Sequence, residues 1–295
     1  MTLRILQFGV TGQLATELLR QAPAPGREIE ALSRGDCDLA DPAACAAAVE
    51  ARKPDLVIIA AAYTAVDRAE AEGDLVMRIN AESPAAIALA ARQCGAASVY
   101  VSSDYVFDGA KGAPYVEADD PHPANTYGRT KLEGEKGVWT ANPRALILRT
   151  SWVISAHGKN FVKTMLRLAG EGAPLRVVDD QFGRPTGAAD LASFILANAT
   201  RLIDGRSGAD IYGLFHFANA GETTWKQLAE AVFNDALGDG APRVEPIATA
   251  DRPAPATRPL RGTLDTSKLE TVFGYTPRPW RAAVREIVAE LKEAS

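Results

Sequence analysis

The chain has 295 residues, of which 47% are hydrophobic and 23% charged. That is enough apolar material for one large α/β domain, or for a nucleotide-binding domain carrying a smaller lobe. A formal net charge of −5 argues against a general nucleic-acid binder, which presents a basic face, and no run reaches the roughly 18 apolar residues of a membrane span.

Arg4 to Phe8 is a short, mainly apolar run that reads as a buried parallel strand ending at Gly9. Gly9-Val10-Thr11-Gly12 forms the following turn, and Leu14 to Arg20 carries apolar residues at helical spacing. Ile29 to Leu32 is a weak second strand. Asp41-Pro42 opens a helix, with Asp as N-cap and Pro at the first helical position, and Ser83-Pro84 repeats that pattern ahead of an Ala-rich helix through Ala91. Leu56 to Ile59, Ser98 to Val101 and Ala145 to Arg149 are further buried strands, and Tyr127 to Trp139 is a helix. Strands alternating with helices predict an α/β fold, a doubly wound parallel sheet of the Rossmann type. The regularity weakens after Thr150, where prolines become frequent. The expected division is therefore a dinucleotide-binding domain over 1–150, with parts of 175–215 returning to it, and a smaller C-terminal substrate-binding lobe over most of 151–295. Asp251 to Pro259, with three prolines, reads as an ordered loop or a mobile lid.

Several residues on this frame carry chemistry. Gly9 and Gly12 follow a strand and open a helix, where glycine lets a pyrophosphate approach the helix N-terminus. The bland reading is an ordinary strand–turn–helix pair. After the second strand, Ser33-Arg34 takes the place where an acidic residue would hold a ribose 2′-hydroxyl. Arg pairs instead with a 2′-phosphate, which favours NADP(H) over NAD(H); a solvated loop Arg is the alternative. Asp38-Leu39 suits the adenine side, and Ala60, Ala61, Ala62 and Tyr63 let the backbone pass close to a cofactor or simply pack an Ala-rich core. Asn80 either contacts the nicotinamide-side loop or braces it. Ser103 ends the fourth strand at the ligand-binding edge of the sheet, or is a turn residue. Tyr127 and Lys131 lie one helical turn apart on one face. An ammonium beside a phenol favours the phenolate, so Lys131 is expected to lower the Tyr127 pKa and let it exchange a proton. Cys37, Cys45 and Cys94 have no metal or redox spacing and read as free thiols. The N-terminus lacks a cleavable apolar leader, which points to a reducing cytoplasm.

In this order, a glycine turn, an Ala-rich strand end, Ser103 and Tyr127-x-x-x-Lys131, the chain resembles the extended short-chain dehydrogenase/reductase family. Further stretches bring it nearer to sugar-nucleotide 4-ketoreductases of that family: Gly9 to Leu14, Ala60 to Asp67, Ser102 to Phe107, Tyr127 to Glu135, Arg149 to Val153, Asn160 to Val162, Asp180 to Thr186 and Thr257 to Pro259. Ala15 replaces a common glycine, and Ser103 stands where many relatives have Thr. The resemblance implies reduction of a 4-keto group on a deoxythymidine diphosphate-linked 6-deoxyhexose, giving dTDP-L-rhamnose. It implies catalytic roles for Ser103, Tyr127 and Lys131, with the latter two also holding the cofactor beside Gln13 and Leu14. It places Val66, Asp67, Ser103, Asp104, Tyr105 and Trp152 around the sugar. Asn160, Arg184 and Arg258 become candidates for the diphosphate and thymine, with solvated surface as the competing reading for the arginines and buried core as that for Trp152. Relatives that use Mg2+ bridge subunits with carboxylates, which Glu17, Asp190 and Glu290 match roughly; acidic surface residues are the simpler reading, and a homodimer is compatible with either. His122, His157 and His216 are too scattered for a zinc motif. Two rivals remain. An epimerase or dehydratase shares this scaffold, but Tyr105 follows Asp104 where a dehydratase places a second carboxylate. The non-catalytic beta subunit of eukaryotic methionine adenosyltransferase also resembles the family, but Ser103, Tyr127 and Lys131 are intact here.

Overall fold

The structure is a computed structural model that describes residues 2–172, 174–204 and 209–294. Strands β1 (Leu3–Phe8), β2 (Arg27–Leu32), β3 (Leu56–Ile59), β4 (Ala97–Ser103) and β5 (Ala145–Thr150) are joined by a sixth, Gly213–His216. They form one parallel sheet in the order sixth strand, β5, β4, β3, β1, β2. β1 lies between β2 and β3, so the chain reverses its winding there and leaves a crevice at the strand carboxyl ends, where such sheets bind ligands. The apolar runs are explained by position. β3 and β5 are buried throughout because helices cover both faces, whereas the edge strand β2 alternates in exposure.

Helices Gln13–Gln21 and Ala188–Asp204 cover one face over a core that includes Ile5, Leu18, Leu56, Leu146, Leu191 and Phe215. Helices Pro42–Arg52, Ser83–Gln93 and Thr126–Ala141 cover the other, over Leu6, Val49, Val57, Ile87, Tyr100 and Val138. Asp41 caps its helix as expected, accepting from Ala44 N at 3.0 Å with Pro42 at the first turn. Ser83 does not cap. A π-helical turn, Arg78–Glu82, runs unbroken into Ser83–Gln93, and the Ser83 hydroxyl donates instead to the Leu39 carbonyl at 2.7 Å. The widened turn is where the chain tolerates Pro84, which lacks an N–H and crowds the preceding turn of a regular helix.

The remaining chain builds a smaller unit from helices Phe161–Gly170, Trp225–Leu237 and Trp280–Glu293 with three short strand pairs. Val162, Leu228, Val232, Trp280 and Val284 form one core there, and Met165, Val177, Phe233 and Val244 another. The 251–259 loop is pinned rather than free. Ala256 is buried, its N–H donates to Asp67 at 3.3 Å, and Arg258 forks onto the same carboxylate at 3.0 and 2.8 Å. Among the described residues, no helix is long and apolar enough to cross a membrane.

Candidate active site

A cleft of about 960 Å3 runs along the carboxyl edge of the sheet, within the size range of small-molecule sites. At its β1 end, Gly9 has φ +105°, and a Cβ there would lie 2.9 Å from Ala61 Cβ. Only glycine makes this turn against the Ala-rich end of β3. Gly12 then serves as N-cap of Gln13–Gln21 without any side-chain cap bond. The helix's first N–H groups are thus free for an anion, which is the requirement of a dinucleotide diphosphate. Gly9, Gly12, Gln13, Leu14, Ser33, Arg34, Asp38, Leu39, Ala60, Ala61, Ala62 and Tyr63 all line the cleft. Arg34 is largely exposed and paired with Asp38 at 3.1 Å. These residues fit a nicotinamide dinucleotide.

Ser103, Asp104, Tyr105, Tyr127 and Lys131 line the same cleft further along. Asn125 starts the helix that carries the last two by accepting from Gly128 N at 2.8 Å. Ser103 Oγ accepts from Tyr105 N at 3.2 Å and donates to Asp104 Oδ1 at 2.9 Å. Its proton must turn away from Asp104 to reach a substrate carbonyl. Tyr127 is half-buried, edge-on to Tyr105 with centroids 5.6 Å apart. Burial pushes its phenol up to about 12, while a hydrogen bond with Ser103 pulls it down and the Asp104 carboxylate raises it. The groups acting on it therefore differ from the expectation that Lys131 lowers its pKa. The Lys131 ammonium donates to the Val101 carbonyl at 2.7 Å and sits 4.1 Å from the Tyr100 ring centroid. Burial lowers Lys131 itself to about 7, partly offset by the Glu135 carboxylate.

Burial also raises Asp104 to about 7 from an ordinary 3.8. Between those values only the folded chain holds the Asp104 proton, so this group's contribution to stability falls as pH rises. Lys131 works oppositely. Between about 7 and its ordinary 10.5 only the unfolded chain holds that proton, and stability rises with pH across the window. The Asp104→Asn variant removes the first effect alone. Its melting temperature relative to the parent is expected to climb from about pH 4 to about pH 8. Thermal melts of both proteins check this, and a constant difference contradicts it.

Val66 and Trp152 also face the cleft. Trp152 holds φ +45°, strained for a non-glycine residue, and stacks on Trp225 at 3.6 Å between centroids. Gly183 permits this, since a Cβ there would come within 2.5 Å of the Trp152 ring. Trp225 and Lys159 line the cleft although nothing in their local sequence singles them out. Trp225 opens a helix capped by Thr224, whose capping box with Gln227 is the one usable signal.

Five candidates lie outside the lining. Asn80 is a brace: its side chain accepts from Tyr63 N at 2.9 Å, donates to Tyr63 O at 3.1 Å, and reaches Thr130 Oγ1 at 3.2 Å. It shapes the cofactor side of the cleft without facing it. Asn160 caps Phe161–Gly170, accepting from Lys163 N and donating to Ser155 O and His157 O, so its polar atoms are already engaged. Asp67 and Arg258 spend their charges on each other, and Asp67 also accepts from the Ala256 N–H of the 251–259 loop. Arg184 keeps a buried Nε without a partner, which leaves a donor for an anion.

A divalent metal does not fit the expected carboxylates. Glu17 and Glu290 converge with His157, but Arg20 occupies their centre, 2.7 Å from Glu290, 3.3 Å from Glu17 and 2.5 Å from His157 Nε2. Asp190 is turned elsewhere, held by Arg278 at 2.7 Å and by Asn219 at 2.8 Å. The guanidinium already supplies the positive charge that a cation would bring. Chelator or added Mg2+ is accordingly expected to leave turnover unchanged in steady-state assays; loss of activity on chelation contradicts this.

A glycine turn over an uncapped helix N-terminus, with Ser103, Tyr127 and Lys131 along one cleft, defines an NAD(P)-dependent oxidoreductase of the extended short-chain dehydrogenase/reductase type. The chain belongs to the dTDP-4-dehydrorhamnose reductase family: the family model described as the RmlD substrate binding domain matches residues 3–293, nearly the whole length. It is 42% identical over 288 residues to the dTDP-4-dehydrorhamnose reductase of Sinorhizobium fredii, covering 97% of each chain. A crystal structure of such a reductase from Clostridium acetobutylicum superposes with a TM-score of 0.92 at 36% identity, covering 98% of this chain and 100% of that one. One from Bacillus anthracis in complex with NADP gives 0.91 at 33% identity, with the same coverage.

Proposed function

We propose that the protein reduces the 4-keto group of dTDP-4-dehydro-L-rhamnose to dTDP-L-rhamnose with NADPH, the reductive step of dTDP-rhamnose biosynthesis. The observation that supports this best is that Tyr127, Ser103 and Lys131 together line the cleft that begins at the uncapped helix N-terminus. When bound, the nicotinamide supplies the hydride that reduces C4. Tyr127 gives its phenolic proton to the oxygen as negative charge develops on it, which is general acid catalysis. Ser103 turns its hydroxyl from Asp104 to the carbonyl oxygen and aligns it. Lys131 holds the nicotinamide ribose. Thr11, Gly12 and Gln13 meet the diphosphate, and Arg34 and Ser33 meet a 2′-phosphate, which favours NADPH over NADH.

Residues 1–150, with parts of 175–215, are the dinucleotide-binding part in this reading, and most of 151–295 binds the sugar nucleotide. The Trp152–Trp225 stack offers an apolar wall to a 6-deoxyhexose or thymine ring. Arg184 and Lys159 supply the cations for the substrate diphosphate. The Asp67–Arg258 pair closes the substrate side by pinning the 251–259 loop. Arg258→Ala is therefore expected to raise KM for the sugar nucleotide several-fold more than it lowers kcat; the opposite split in steady-state kinetics contradicts this role. We place the protein in the cytoplasm, where NADPH and nucleotide sugars are made.

Incubation with dTDP-4-dehydro-L-rhamnose and NADPH tests the reading. Stoichiometric loss of NADPH absorbance with formation of dTDP-L-rhamnose by NMR supports it. An isomerised or dehydrated sugar with no net cofactor oxidation overturns it.

A further inference from the structure

Cys37, in the loop after β2, and Cys45, in the first turn of the helix Pro42–Arg52, hold their thiols in contact. Cys37 Sγ donates to Cys45 Sγ at 3.4 Å, and Cys45 Sγ donates onward to the Asp38 carbonyl at 3.5 Å. Cys45 is fully buried, whereas Cys37 is 9% exposed and forms part of the cleft wall beside Ser33, Arg34, Asp38 and Leu39. Both thiols are held in place by backbone bonds: Cys37 N to Ser33 O at 3.0 Å, and Cys45 N to Asp41 O at 3.1 Å. The loop is fixed further by Asp36 on Ser33 and by Asp38 on Ala40 N. A pair so placed, with one sulfur open to a ligand cleft and the other directly behind it, has the geometry of a peroxidatic and a resolving thiol.

We infer that Cys37 and Cys45 are a reversible redox site, in which a disulfide forms at the expense of cofactor binding. A hydroperoxide entering the cleft oxidises the Cys37 thiol to a sulfenic acid and leaves as water or alcohol. The Cys45 sulfur then attacks the sulfenic sulfur, the S–S bond forms, and the hydroxyl departs with the Cys45 proton as water. The two thiols lose two electrons and two protons in total, and the peroxide is reduced. A dithiol restores both. Cys37 lines the cleft while Cys45 is fully buried behind it, so Cys37 is the sulfur that meets the oxidant and Cys45 is the resolving partner.

The cost falls on the cleft. A disulfide requires about 2.05 Å between the sulfurs, so the contact must close by more than an ångström and draw in the loop carrying Ser33 to Leu39. This part of the inference rests on the proposed placement of the adenosine end of NADPH at that loop. By linkage, cofactor that disfavours the disulfide is bound more weakly once it has formed, and cofactor seated over Cys37 in the cleft wall also shields that sulfur from the oxidant.

The test treats the purified chain with hydrogen peroxide, with and without saturating NADP+, then alkylates free thiols and maps the peptides by mass spectrometry. The expected result is a Cys37–Cys45 linked peptide that is reversed by dithiothreitol, retained in Cys94→Ser and absent in Cys45→Ser. Its formation should slow several-fold with NADP+, and the oxidised protein should bind NADPH several-fold more weakly in a fluorescence titration. Full alkylation of both thiols after peroxide, or overoxidation of Cys37 with no crosslink, overturns the redox site. A crosslink that forms equally fast with NADP+ upholds the thiol pair and overturns its link to cofactor binding, and with it the placement of the adenosine end.

Discussion

Replacing Tyr127 with Phe is expected to lower kcat about 100- to 10,000-fold, the usual worth of a positioned general acid. That corresponds to about 3 to 5 kcal/mol of barrier. The substitution removes one hydroxyl and nothing else. The ring still meets Tyr105 edge-on, and Gly128, packed beneath Tyr105, still fixes the start of the helix. The fold and the affinity for NADPH should therefore persist, and a fluorescence titration alongside the kinetics checks that they do. The remaining cleft donor near Tyr127, the Ser103 hydroxyl, is tied to Asp104 and in this mechanism aligns the carbonyl rather than protonating it. Full activity in the variant would remove Tyr127 from the mechanism.

The second large effect is on stability. Arg149 on β5 and Glu135 on the helix below it form a two-pronged pair at 2.9 and 2.7 Å, with side chains only 3% and 6% exposed. Ser102 on β4 donates to the same carboxylate at 2.5 Å, and the guanidinium lies over the Phe107 ring. Arg149→Met strands a buried carboxylate among these groups. Breaking such a pair from one side costs about 3 to 5 kcal/mol, because the remaining charge has no compensation. The double variant Glu135→Leu with Arg149→Met loses both charges and is expected to recover much of that loss. Urea unfolding of the single and double variants measures both. A single variant as stable as the parent, or a double variant worse than the single, contradicts the account. Because Glu135 also raises the Lys131 pKa, the pair connects the stability of the sheet to the charge state of the site.

Much of this arrangement is legible in the sequence, for physical reasons. The parallel sheet announces itself because β3 and β5 are covered on both faces and so cannot alternate. Tyr127 and Lys131 share a face because helical periodicity demands it, and Gly9 of the first turn is constrained by close approach to Ala61. What sequence cannot resolve is how a polar side chain spends its hydrogen bonds. Asn80 and Asn160 look like ligands but are consumed by backbone groups of Tyr63 and of the Phe161–Gly170 helix. Ser83 looks like a cap but is buried in the middle of a continuous helical run. Asp190 looks like a partner for Glu17, yet Arg278 claims it from far along the chain. Long-range partners are equally invisible. Trp225 reaches Trp152 from far along the chain, and Arg20 fills the acidic cluster from the same helix that supplies Glu17.

Transfer of the hydride and of the Tyr127 proton to one carbonyl is the core of the account, and isotope tracing reads it directly. NADPH carrying deuterium at its reactive position is incubated with dTDP-4-dehydro-L-rhamnose, and the sugar is examined by NMR. The account predicts dTDP-L-rhamnose with deuterium at C4, one label for each NADPH oxidised, and almost none over the same period with Tyr127→Phe. Deuterium at another carbon, or a labelled C4 produced equally fast by the variant, would contradict it.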